Sequence, residues 1–454
     1  MKNLKLIIGS LFLFSMILGC KKMITVDSPK NQLTTEKVFV DSASATAALL
    51  NIYASFERDF DPNYNIYVSL YTDELKNIDS DTEVDNFFDS RISSTNGINQ
   101  NAWSHLYKII YQCNDIELQL KNNTSLSRSN KQLTNEAKFL RALAYFYLVN
   151  TYGDVPLLLQ TDVETTAKAF RADQNIVNNQ IINDLIDAKA GLSVNYISSG
   201  KVRANKWAAS ALLSREYLYQ KKWTLAEKEA GDIIESGLYT PLLTVKDVFR
   251  ANSKESILQF WNQNGFITSS SDYLPYSAES LPQYIISSAL YESFEEGDLR
   301  KNYWVGTVVD ADNNNEKYYF SNKYKNRVSN TSSPEYLMVL RITEQFLIRA
   351  EARVMIGDIK GAIEDINVVR KRSGLLILPN SLDTQQCLDA IIKERRVEFF
   401  TENGHRFFDL KRSRRINEVM SGYKNTWRND ISKLWPIPQS EITYNHNLVQ
   451  NTGY

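Results

Sequence analysis

The thiol of Cys20, closing the run Ile17-Leu18-Gly19-Cys20, is the side chain whose setting most directly specifies a chemistry, which is acylation. Lys2 and Lys5 supply a positive start, residues 6–18 an apolar stretch, and Gly19 a small residue before the thiol, the pattern of an export signal. A membrane-crossing helix needs about 20 apolar residues, so this stretch is too short to span, and cleavage followed by lipidation would leave the anchor instead. Each buried methylene contributes about 0.8 kcal/mol, so two or three acyl chains hold where one is marginal. The pattern predicts a signal peptide over 1–19 and a lipidated spacer over 20–38, while Lys21 and Lys22 leave the membrane face open.

Other chemistries find less support. The three histidines, His105, His405 and His446, lie at no metal-ligand spacing, and the chain has no His-Glu-x-x-His, phosphate-cradling loop, dinucleotide fingerprint or nucleophile elbow. Glycoside hydrolysis needs only two carboxylates roughly 5 to 10 Å apart, which 53 acidic residues leave open. The acidic stretch 73–89, with Asp79, Asp81, Asp85 and Asp89, could offer oxygen ligands to Ca²⁺ but lacks the Asp-x-Asp-x-Asp-Gly loop, and solvation is its simpler use. No cofactor is expected. With 52 basic against 53 acidic residues, no global field favours nucleic acid. Cys113 and Cys387 fall in helical stretches and are expected as buried free thiols, with a disulfide between them the alternative in an exported protein.

The elements that must position any site are mostly helices. Apolar residues recur at helical spacing over 47–56, 103–120, 134–150, 174–190, 204–220, 225–235, 343–356, 359–372 and 388–400. Thr224 and Glu227 fit a capping box, Asp358 after Gly357 an N-cap, and Gly153 with Pro156 a helix stop. Ser214, Tyr217, Ala226, Ala230 and Ile233 recur in register as Ala350, Arg353, Ala362, Ile366 and Val369, small residues that let two antiparallel helices approach as in tetratricopeptide hairpins. The expected fold is mainly α. Helix pairs over about 39–56, 101–236 and 343–403 form a scaffold in one domain, 39–454, with irregular insertions over about 57–100 and 237–342 that carry short β-strands such as 257–261 and 318–319. Binding chemistry tends to sit on such loops.

Four segments carry a family likeness. They are Glu136-Ala137-Lys138-Phe139-Leu140-Arg141-Ala142 with Tyr152-Gly153-Asp154-Val155-Pro156; Leu347-Ile348-Arg349-Ala350-Glu351-Ala352 with Gly357-Asp358; Lys393-Glu394-Arg395-Arg396-Val397-Glu398-Phe399 with Gly404-His405-Arg406-Phe407-Phe408-Asp409; and Leu434-Trp435-Pro436-Ile437-Pro438 with the ending Gln450-Asn451-Thr452-Gly453-Tyr454. In order and spacing the chain resembles the SusD/RagB family of nutrient-binding outer-membrane lipoproteins, departing from it at Thr452, where that ending usually has Pro. Each motif also has a structural use: Glu394, Arg395, Arg396, Glu398, Arg406, Asp409 and Arg412 are expected to form a partly buried charge network of bidentate pairs.

The resemblance implies a non-catalytic, lipid-anchored protein on the exterior of the outer membrane. Such a protein caps a TonB-dependent, SusC-like barrel and captures oligosaccharides or, in RagB-like members, peptides. A sugar presents an apolar C–H face and a rim of hydroxyls, so its site wants an aromatic platform beside polar groups. The candidates in the irregular regions are Phe87 and Phe88; Tyr273, Tyr276 and Tyr284; and Arg300, Tyr303 and Trp304. Trp103 and Trp261, lying within regular elements, are expected in the core.

Overall fold

The computed structural model of the chain describes residues 39–123, 127–239 and 242–454. The signal peptide, Cys20 and the spacer lie outside the described residues. Helix α1 (Ser42–Ser55) starts on Asp41, whose carboxylate accepts from Ser44 N–H in a capping box, then passes through a π-helical turn (Phe56–Phe60) into α2 (Asp61–Tyr71). The long helices follow: α3 (Gly97–Asn122), α4 (Ser127–Tyr152), α5 (Gln174–Gly191), α6 (Lys206–Tyr219), α7 (Trp223–Glu235), α8 (Ile342–Ile356), α9 (Ile359–Arg372), α10 (Thr384–Glu398) and α11 (His405–Arg412). From α3 to α10 each helix packs on the next, so α7 and α8 touch although the second insertion separates them in sequence.

The matching small residues explain the close approach. Ser214, Ala226 and Ala230 in one hairpin and Ala350 and Ala362 in the other are fully buried along the helix seams. Across hairpins, Ser214 Oγ donates to Gln345 Oε1 at 2.5 Å, and Arg215 donates to both oxygens of Glu344 at 2.7 Å, so α6 is fixed on α8 by polar bonds as well as by packing. Asp358 caps α9 by accepting from Gly361 N–H, and Gly153, at φ +78°, ends α4 as expected. The expected box at Thr224 is corrected: α7 begins two residues earlier, at Trp223, with Lys222 as its cap and no side-chain capping bond.

Among the described residues, the strands form four two-stranded antiparallel ribbons. Strand β1 (Leu75–Asn77) pairs with β5 (Tyr284–Ile286), β2 (Val155–Pro156) with β3 (Arg171–Ala172), β4 (Ser256–Phe260) with β8 (Leu337–Arg341), and β6 (Val305–Asp310) with β7 (Glu316–Ser321). The first ribbon ties the two insertions together. The third is buried along both strands, and its last pair is Phe260 with Leu337. Trp261 therefore lies just past the ladder, 53% exposed, which corrects its expected place in the core; Trp103 is buried.

One hydrophobic core runs from Phe39 to Ile437, and Trp435 sits at an aromatic junction with Tyr64, Tyr71, Phe87 and Tyr152. Asn451 locks the C-terminus there, donating to the carbonyls of Tyr152 and Trp435. Cys113 and Cys387 are free and buried in separate apolar clusters. No helix among the described residues is long and apolar enough to cross a membrane.

Candidate functional site

The charge network forms the frame on which the site rests. Glu398, fully buried at the end of α10, accepts from Arg300 Nη1 at 2.9 Å, Arg341 Nη1 at 2.5 Å and Arg372 Nη2 at 2.5 Å. Burial pushes its carboxyl up, but the Arg372, Arg341 and Arg300 guanidinium groups prevail and hold it well below the usual carboxylate range. Around it Arg341 also binds Glu402, and Arg395 and Arg412 share Asp409. Asp73 takes Arg406 through two bonds at 2.8 Å and Arg396 at 2.6 Å. The motif residues expected as architecture are therefore architecture. They pin the chain at Asp73, immediately before β1, and β1 in turn holds β5 through the pair Asn77–Tyr284.

Tyr284 thereby reaches the edge of a polar and aromatic face. The Tyr67 ring, from α2, packs tilted against Phe87 at 5.1 Å between centroids, and its phenol lies close to that of Tyr284. Burial raises both phenols, so both stay protonated and able to donate. Asp272, on the short helix Ser270–Tyr273, lies within electrostatic range of both; burial raises its carboxyl above the ordinary value, while the Arg327 charge pulls it back.

Tyr276 completes the face. It is 80% exposed, with the Arg327 guanidinium 4.7 Å from its ring centroid, and Arg327 Nε is buried without a hydrogen-bond partner among the described residues. The loop carrying Arg327 is rigidly tied. Glu335 Oε2 accepts from Lys325 and Asn326 N–H, and Asn326 Nδ2 donates to the carbonyls of Gly265 and Ser333. Gly265 is at φ +69°, and a Cβ there would lie 2.5 Å from the Asn330 carbonyl oxygen, so that crossing admits only glycine. An open ring, an unsatisfied guanidinium N–H, a carboxyl and two phenol hydroxyls can meet a ligand that has both an apolar face and a hydroxyl rim.

Of the residues expected to bind, Tyr276 is open, whereas Tyr284 is buried, with its phenol beside that of Tyr67. Phe87 is fully buried beneath Tyr67 and against Trp435, so it supports the face without reaching solvent. Phe88 is half-buried under Lys424, and Tyr273 is buried. The Arg300 and Trp304 expectations are corrected. Arg300 has no exposed surface and is consumed by Asp298, Glu394 and Glu398, and Trp304 is buried with its Nε1–H on the Val245 carbonyl at 2.6 Å. Tyr303 is 41% exposed, its carbonyl held by Lys325 Nζ at 3.0 Å.

Sequence reasoning passed over Tyr67, Asp272 and Arg327. Tyr67 sits on a helix read as part of an irregular segment, and a lone arginine in a loop carries no spacing signal. Trp261 did carry one, since Asn262, Asn264 and Gly265 directly after it mark the end of the strand.

Two family models match the chain: residues 254–454 fit the SusD family, and residues 25–218 fit a family described as starch-binding and associating with the outer membrane. SusD-like protein P2 of Formosa agariphila is 26% identical, over 96% of this chain and 97% of that protein. The starch-binding protein SusD of Bacteroides thetaiotaomicron is 33% identical over 28% of this chain and 23% of its own length. A solved laminarin-binding SusD-like protein superposes with a TM-score of 0.75 at 25% identity, covering 91% of this chain and all of that one.

Proposed function

From a chain that belongs to the SusD family, we propose a glycan-capturing lipoprotein that holds oligosaccharides on the face around Tyr276 and hands them on unchanged. The observation that carries this is the exposed Tyr276 ring beneath a guanidinium whose Nε is unsatisfied. The ring takes the C–H face of a pyranose, while Arg327, Asp272 and the Tyr67–Tyr284 pair offer partners to its hydroxyls. Because the donors sit on tied loops, little ordering entropy is lost on binding. The laminarin-binding and starch-binding relatives support a sugar over a peptide. The protein turns nothing over, and it releases its ligand to a TonB-dependent, SusC-like barrel. Acylated Cys20 tethers it at the exterior face of the outer membrane.

Titration calorimetry of the full-length protein in detergent, with oligosaccharides from starch and laminarin and with mixed oligopeptides, tests this reading. Sugar binding is expected, weakened in Tyr276→Ala and in Arg327→Ala, with the sugar recovered intact. Binding of peptides alone, or cleavage of the sugar, overturns it. Extraction of native membranes should bring a large barrel protein down with the chain; its absence refutes the partner.

A further inference from the structure

The β4–β8 ribbon ends at Phe260 and Leu337, and the next residues on the two strands, Trp261 and Tyr336, are the ones its register would bring opposite each other. Both line a cavity of about 650 Å³, within the range of small-ligand sites. Its other wall is the outer face of α1, including Ala47, Leu50 and Ala54, and Val202 and Gly200 close one side. A 53% exposed indole and a 42% exposed Leu50 together make an apolar platform that the protein leaves uncovered.

The rim is polar and held in place. Asn252 sits in the left-handed region at φ 60° with its N–H on Gln259 Oε1 at 3.0 Å, and its side-chain oxygen comes close to Gly200. Arg203 is fixed by Glu136 through bonds of 3.0 and 2.6 Å, and Glu136 also accepts from Tyr53 at 2.7 Å. Ser198 Oγ is buried without a hydrogen-bond partner among the described residues, and no bond there engages the side-chain amides of Asn51 or Asn252. A purely apolar ligand would leave these groups unmet. A sugar stacked on Trp261 meets them with its hydroxyls.

The groove is also joined to the Tyr276 face. Gly265 lies four positions after Trp261, at most about 14 Å of chain, and the Gly265 carbonyl accepts from Asn326 at 2.9 Å, one residue before Arg327. We propose that the Trp261–Tyr336 groove is a second sugar subsite that engages oligosaccharides long enough to extend beyond the Tyr276 face. This rests on the glycan-capture reading and adds to it a selection for chain length, because a ligand held at both places gains from their proximity and a short one does not.

The test compares trisaccharides with heptasaccharides of the starch and laminarin types, titrated calorimetrically into the full-length protein and its variants. Trp261→Ala, at an exposed position, should weaken heptasaccharide binding about tenfold and leave trisaccharide binding unchanged, whereas Tyr276→Ala weakens both. Leu50→Arg, which fills the groove from α1, should reproduce the Trp261→Ala pattern. Heptasaccharide affinity equal to wild type in both groove variants overturns the subsite while the glycan reading stands. An equal loss for both lengths in Trp261→Ala makes the groove the primary site and also overturns the proposal. If the wild type binds neither length, the glycan reading falls and the subsite with it.

Discussion

Replacing Glu398 by Gln keeps the shape of the side chain and removes its charge, which makes it a direct test of how the scaffold is held. The carboxylate is fully buried and accepts from three guanidinium groups, two of them at 2.5 Å. Arg300 keeps Asp298 and Glu394, and Arg341 keeps Glu402, but among the described residues Arg372 is left with one carboxylate, Glu255 at 3.5 Å. Removing one partner from a buried ion pair costs about 3–5 kcal/mol, since the remaining charge stays desolvated without compensation, and that is the destabilisation expected at pH 7. Urea unfolding followed by circular dichroism measures it. The pH dependence has a fixed sign. The folded carboxyl lies well below 4.5 and the unfolded one near 4.5, so its contribution is complete above the unfolded value and is lost as pH falls through the folded one. The gap between wild type and Glu398→Gln should therefore narrow below about pH 4.5. As a control, Glu364→Gln breaks the exposed Lys360–Glu364 pair and should leave stability unchanged. A Glu398→Gln variant within about 1 kcal/mol of wild type at pH 7 would refute the network as a structural determinant.

Two further predictions follow from single positions. Burial raises the Glu216 carboxyl from 4.5 to about 8, so between those values the folded protein holds a proton that the unfolded chain has released, and this group makes stability fall as pH rises. Glu216→Gln should gain on wild type by about 1.4 kcal/mol per pH unit across that window, and parallel stability–pH curves for the two proteins would contradict it. Gly265→Ala, which forces a Cβ against the Asn330 carbonyl at φ +69°, should lower stability by at least about 1 kcal/mol and weaken sugar binding through the displaced Arg327 loop; unchanged melting and affinity would show that the loop yields freely.

The site was partly legible in the sequence. Tyr276, singled out as an aromatic residue in a Pro- and Ser-rich stretch, is exposed, whereas Tyr284 from the same stretch is paired in β5 and buried. Arg300 and Trp304 come from the same insertion, yet the structure buries both, because Glu394 and Glu398 arrive from almost a hundred residues away to take the guanidinium and the Val245 carbonyl takes the indole. Trp261 failed in the opposite sense. Its strand was read one residue too long, and in a ribbon that ends at Phe260 one residue decides whether a ring lies in the core or in solvent.

What the sequence alone determined is local and periodic: the helices from their apolar spacing, the repeated hairpins from small residues in matching register, and the clustering of charge at 394–412. Those properties depend on residues within a few turns of one another, or on a pattern that repeats. Only the tertiary structure decided which aromatic residues face solvent, that Tyr67, Asp272, Tyr276, Tyr284 and Arg327 share one face, and that Trp261 and Tyr336 share a groove. These meetings depend on strand register and on where the insertions fold back onto the stack. Both are settled by contacts between distant residues, and no spacing along the chain records them.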